Sequence, residues 1–167
     1  MKPMKNKSTI FLAQAGAIGA IYVVLTMIFS AFSFGEVQVR ISEALTILPY
    51  FTAAAVPGLF VGCLLGNILG GAVLPDVIFG SLATLIGAYI TWKLRGRTRW
   101  LAPVPPILAN TLIVPFVLRY AYGVNLPIWM MMGTVGLGEV ISCGVLGMLL
   151  HTAISKYGKN IFETKAL

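Results

Sequence analysis

Arg40 and Glu43 stand three positions apart in the segment Arg40-Ile-Ser-Glu43, between two long apolar runs. From Ser8 to Trp92 they are two of only four charged side chains, the others being Glu36 and Asp76. Glu139 lies deep in the last apolar run, far from either charge-rich loop. Ionisable groups in such surroundings are costly, and normally face a cavity, a partner or a ligand. The pairings open to them are Arg40 with Glu43, one helical turn apart, and Glu139 with Arg40 or Arg119. Asp76 follows Pro75 and suits either a helix cap or a ligand contact. Asn110 adds an amide, and Asn67 is placed for interhelical hydrogen bonding. Phe34, Tyr120 and Trp129, with Phe32 and Tyr122, cluster at a predicted membrane boundary, where aromatics form interfacial belts. Carboxylates beside aromatic faces suit a flat, hydrogen-bond-donating, cationic small molecule.

Catalytic and nucleotide-binding signatures are missing. The chain has no GxxxxGK[ST] loop, no HExxH, no GxSxG and no CxxC. His151 is the only histidine, and its place near the end of the last apolar run suggests a partner for helix-end carbonyls. Cys63 and Cys143 both lie within apolar runs and read as buried thiols, neither a disulfide nor a metal pair. The chemistry expected is therefore binding, with no catalytic residue, metal or cofactor.

The elements that must position these groups follow from composition. Hydrophobic residues make up 58% of the 167 and charged residues 10%, against about 25% charged in a soluble domain. Such a chain is an integral membrane protein. The net charge of +7 sits in short loops and tails beside apolar runs, which orients a membrane protein and does not call for nucleic acid. Ile10–Phe32 is too long for a signal-peptide core and reads as a retained first helix. The block Ile41–Leu74 would be about 51 Å long as one helix, against a hydrocarbon core of about 30 Å. It contains Pro49 and Pro57, and a break is expected near Ala53–Pro57. Charge placement agrees: Lys2, Lys5 and Lys7 and the loop Lys93–Arg99 belong on the cytoplasmic side, so this block must cross twice.

An all-α integral membrane domain spanning residues 1–167 results. Its six transmembrane helices are expected near residues 10–32, 41–55, 57–74, 77–92, 101–118 and 126–151, with both termini cytoplasmic. The second is short for a span, which predicts a tilted, thin or partly unwound helix. Gly58, Gly62, Gly66 and Gly70 repeat every four residues along the third helix and suggest close intramolecular packing. Ala13 and Ala17 repeat the offset on the first helix, where packing and docking of a partner helix remain equally open, as do the offset pairs Ala15/Gly19 and Gly16/Ala20. Met130, Met131 and Met132 read as lipid or core contacts.

Five stretches, QVRISEALTILP at 38–49, PGLFVGC at 57–63, DVIFGSLATL at 76–85, LAPVPPILAN at 101–110 and TVGLGEVISC at 134–143, together resemble the QueT family. These are substrate-binding S-components of energy-coupling-factor transporters assigned to queuosine precursors. The resemblance covers nearly the whole chain in order. It implies an S-component-like bundle in the bacterial plasma membrane that captures a deazaguanine-type base outside the cell. It also implies a separate transmembrane coupling protein and two ATPase subunits, so that ATP is used by the partners and not bound by this chain. Ala13 and Ala17 then match the AxxxA pattern that S-components present to the coupling protein. Glu139 and Glu43 would accept from the base's adjacent N–H and NH2 donors and from an aminomethyl cation. Arg40 would orient or neutralise Glu43, Asn110 would read a carbonyl edge, and Asp76 is a further candidate. Tyr120, Trp129 or Phe34 would stack on the ring. The nearest rival is an S-component for another small heterocyclic vitamin; a rival of another class is a stand-alone carrier coupled to protons through Glu139.

Overall fold

The computed structural model describes residues 7–30 and 39–158. Phe34, Phe32 and Glu36 lie outside the described residues. Six helical elements follow one another: α1 (Lys7–Ile28), α2 (Ile41–Tyr50), α3 (Ala55–Leu69), α4 (Leu74–Leu94), α5 (Val104–Tyr120, preceded by the short 3-10 turn Arg99–Leu101) and α6 (Ile128–Tyr157). Prolines mark the starts, as their missing N–H and fixed φ allow. Pro57 lies in the first turn of α3, Pro75 in that of α4, Pro105 and Pro106 open α5, and Pro127 precedes α6.

Four of these helices are long and apolar enough to cross a membrane: α1, α4, the segment Arg99–Tyr120 and α6. The expected break in the second block falls at residues 51–54, between α2 and α3. Helix α2 is wound as a 3-10 helix of 10 residues, so it is about 20 Å long at ~2.0 Å per residue. Helix α3, with 15 residues, is about 22 Å long. The second helix, expected to be tilted, thin or partly unwound, is a narrower and more tightly wound 3-10 helix, not an unwound one. Helix α6 departs from α geometry too, widening into a π-helical stretch over Val140–Leu146.

Neighbouring elements pack in the order α1, α3, α4, α5, α6, and α2 touches α1, α3, α4 and α6. Residues Ser42 to Pro49 of α2 are all buried. Long apolar side chains such as Leu12, Leu69 and Leu149 point outward, as lipid exposure requires. One core joins Ile18 and Tyr22 of α1, Leu45, Ile47 and Leu48 of α2, and Leu59 and Cys63 of α3. A second joins Val114 and Leu118 of α5 to Met131 and Val135 of α6.

The glycine stripe of α3 packs within the chain. A Cβ on Gly58 would stand 2.6 Å from the Ala15 carbonyl oxygen, and one on Gly62 would stand 2.9 Å from that of Gly19. The backbones of α1 and α3 therefore meet with no room for a side chain between them. Ala15 and Gly19 form the opposing face, leaving Ala13 and Ala17 exposed on the other side of α1. His151 differs from expectation. It is buried, with its ring 4.9 Å from those of Tyr50 and Phe51, because α6 continues to Tyr157 and carries this position into the bundle. Gly58→Val and Gly62→Val should each destabilise the protein by about 1–3 kcal/mol through overpacking. Gly16→Ala, with nothing within 4 Å, should leave the unfolding midpoint in detergent unchanged. Wild-type stability in the Gly58 and Gly62 variants would show that the two helices are not this close.

Candidate functional site

The polar residues picked out by sequence converge on the buried helix α2. Glu43 occupies the first turn of its 3-10 winding and is 0% exposed. Its Oε1 accepts a hydrogen bond from the Tyr22 hydroxyl of α1 and lies 3.3 Å from Thr84 Oγ1 of α4. Its Oε2 is buried without a hydrogen-bond partner. Glu139 approaches from the opposite side, at the point where α6 turns from α to π winding. Its Oε2 accepts from the Cys143 thiol at 3.1 Å. That sulfur is also 3.3 Å from Thr46 Oγ1 and 3.5 Å from the Glu43 carbonyl oxygen. Ligand atoms of Glu43, Glu139 and Cys143 all lie within 4.8 Å of one another. Such a cluster can receive a cation, whether a metal ion or an ammonium group. The Asn110 amide of α5 faces both carboxylates.

Arg40, just before α2, reaches α4: its Nη2 lies 3.4 Å from Asp76 Oδ2 in a buried ion pair. Among the described residues its salt bridge is therefore with Asp76, not with Glu43. Asp76 sits in the first turn of α4, yet its side chain makes no capping bond there. It accepts a second hydrogen bond, at 3.0 Å, from the Tyr122 hydroxyl in the loop after α5. Burial raises the Tyr122 phenol above its ordinary pKa, and the Asp76 charge adds to this. The hydroxyl therefore stays protonated and donates. Asp76 Oδ1 has no hydrogen-bond partner. Gly80, one turn further along α4, leaves the space: a Cβ there would stand 3.0 Å from Asp76 Oδ1, 3.4 Å from Asn67 Nδ2 and 3.9 Å from Arg40 Nη1. Asn67 bridges α3 and α4 through the Asp76 carbonyl oxygen at 3.4 Å, the interhelical role expected of it.

Arg40, Glu43, Asp76, Asn110 and Glu139 are thus brought together, each at most 5% exposed. Tyr120 and Trp129 are not: they are 78% and 75% exposed, on the outer surface of the bundle. Arg119, in the last turn of α5, is held by the Val124 carbonyl and Asn125 of the following loop, so it does not serve Glu139. Tyr22, Thr84 and Cys143 join the cluster although sequence reasoning did not assign them to it, and Tyr122, grouped there with the boundary aromatics, joins through its hydroxyl. Their signal was faint, because one hydroxyl or thiol in an apolar run looks like ordinary packing. Both cysteines are free and buried, as expected, but Cys143 is a polar contact as well as a small hydrophobe.

Comparison with known proteins gives this cluster a context. A family model described as QueT transporter matches residues 12–156. A queuosine precursor transporter QueT of Lactococcus lactis subsp. cremoris (strain MG1363) is 35% identical over 85 residues. The alignment covers 50% of each protein, so the chain spans about half the length of the curated relative it matches. No solved structure matches the chain. With apolar helices long enough for several membrane crossings and a family match over most of its length, the chain belongs to the QueT transporter family, a family of transporters and not of enzymes.

Proposed function

We propose that this chain is the substrate-capturing S-component of an energy-coupling-factor transporter, and that its substrate is a queuosine precursor of the deazaguanine type. The observation that carries the reading is the buried pair Glu43 and Glu139, with ligand atoms within 4.8 Å and one Glu43 oxygen still unpartnered. A guanine-like ring offers adjacent N–H and NH2 donors that a carboxylate accepts in a paired geometry. An aminomethyl substituent on that ring supplies a cation for the second carboxylate. Asn110, facing both acids, is placed for a carbonyl or ring nitrogen. Tyr22 and Thr84 hold Glu43 through Oε1, which leaves Oε2 for the ligand.

The cluster is closed, so capture requires one wall to yield. Helix α2 is the wall best suited to this, because 3-10 hydrogen bonds have poorer geometry than α-helical ones. The chain would lie in the bacterial plasma membrane as a single domain with both termini cytoplasmic, taking up substrate from outside. ATP hydrolysis would belong to two ATPase subunits, coupled through a transmembrane partner that docks on α1. The exposure of Ala13 and Ala17, opposite the face that packs on α3, supports that docking surface.

Calorimetric titration of the purified chain tests the substrate. An aminomethyl-bearing deazaguanine should bind, whereas riboflavin and thiamine should not. Glu139→Gln and Glu43→Gln should each weaken binding by about 1–3 kcal/mol. Unchanged affinity in both variants would remove the acidic pair from the site. Ala13→Trp and Ala17→Trp should preserve that binding while blocking assembly with the coupling protein. Loss of ligand binding in these variants would place the alanines in internal packing. Uptake by liposomes containing this chain alone would replace the energy-coupling reading with a stand-alone carrier.

A further inference from the structure

The end of α4 carries a second feature that the acidic cluster leaves unused. Leu85, Ile86, Tyr89 and Ile90 share one outward face of α4 and line a shallow apolar groove of about 410 Å³. Lys93 follows on the next turn, with Nζ 5.5 Å from the Tyr89 ring centre and 5.1 Å from that of Trp92. Arg95 Cζ lies 4.7 Å from the Trp92 ring, and Arg99 Cζ lies 5.2 Å from the Trp100 ring. Lys93, Arg95, Arg97 and Arg99 are all exposed.

The carboxylates among the described residues, Glu43, Asp76 and Glu139, are buried in the central cluster. None of them forms a salt bridge with these four cations. Ring contacts hold the cationic groups in place but leave their charge unneutralised. The patch thus joins a positive rim to a hydrocarbon-lined groove along a membrane-spanning helix. An acidic protein segment would match the rim alone, and a neutral lipid would match the groove alone. We propose that the Lys93–Arg99 turn and the groove below it form a binding site for an anionic phospholipid. The cations receive the phosphate, and the face from Leu85 to Ile90 receives an acyl chain.

The full chain in detergent is offered phosphatidylglycerol, phosphatidylcholine or inorganic phosphate, and retention is read by native mass spectrometry alongside the unfolding midpoint. Phosphatidylglycerol should remain bound and raise the midpoint, whereas the other two should do neither. Removing all four charges (Lys93→Gln, Arg95→Gln, Arg97→Gln and Arg99→Gln together) should weaken phosphatidylglycerol retention about tenfold or more, as expected for several cations at a headgroup. Ile86→Trp, which fills the groove and keeps the rim, should weaken it too. If the fourfold variant does not fold, wild-type protein in about 1 M salt gives the same test, because the Debye length there is only about 3 Å. Equal retention of both lipids, or phosphatidylglycerol retention insensitive to the charge removal and to salt, would overturn the proposal. So would a midpoint shift by inorganic phosphate as large as that by the lipid. Capture of a polyglutamate peptide in place of phosphatidylglycerol would assign the patch to an acidic protein and equally overturn it.

Discussion

Burying carboxylates inside an apolar bundle is the constraint from which most of this structure follows. An ionised acid removed from water costs several kcal/mol unless hydrogen bonds and counter-charges replace its hydration. Three such groups, Glu43, Asp76 and Glu139, lie within the bundle, and polar side chains of four helices and two connecting segments are spent on them. Tyr22 and Thr84 serve Glu43, Cys143 serves Glu139, Arg40 and Tyr122 serve Asp76, and Asn110 faces both glutamates. What remains unserved, Glu43 Oε2 and Asp76 Oδ1, is where a donor from outside the chain has something to gain.

The same requirement explains why the backbone leaves α geometry in two places. Glu43 lies in a 3-10 helix and Glu139 at the start of a π-helical stretch. The tighter winding stretches α2 along its axis and lets ten residues reach where an α-helix would need more. The wider winding after Glu139 carries Cys143 to the position where its thiol meets both Glu139 and the Glu43 carbonyl. Close packing of α1 on α3 is part of the same arrangement. Gly58 and Gly62 let α1 approach α3, and α1 so placed also packs on α2, where Tyr22 meets Glu43. A side chain added at Gly62 would therefore act on the acidic cluster through Tyr22 as well as on stability.

Much of this was legible in the sequence, for physical reasons. Long apolar runs and proline punctuation identified the helices, since lipid forbids unsatisfied backbone. The rarity of charge identified Arg40, Glu43, Asp76 and Glu139, since each one in such a run needs an explanation. Partners were harder. Arg40 was expected to orient or neutralise Glu43 from one turn away; its salt bridge crosses to Asp76 of α4, because Arg40 precedes the helix in extended backbone and is not part of its first turn. Tyr22, Thr84 and Cys143 carried no charge to betray them. Tyr120 and Trp129 belong to the outer surface, and an interfacial aromatic has the same sequence signature as a stacking one. The π-helical stretch had no visible signal at all.

The charges in the cluster also bear on which ligand it can select. Arg40 is engaged with Asp76, a pair that is neutral in sum. Glu43 and Glu139 remain, close to each other and without a salt-bridged cation among the described residues. Two ionised carboxylates this close in a low dielectric would repel strongly, so the pair keeps a proton unless a cation joins it. A cationic ligand with a donor edge would let both acids ionise, and each glutamate would then have a distinct partner. Selectivity for a positively charged heterocycle over its neutral relatives would thus come from the second negative charge that only a cation lets the pair carry.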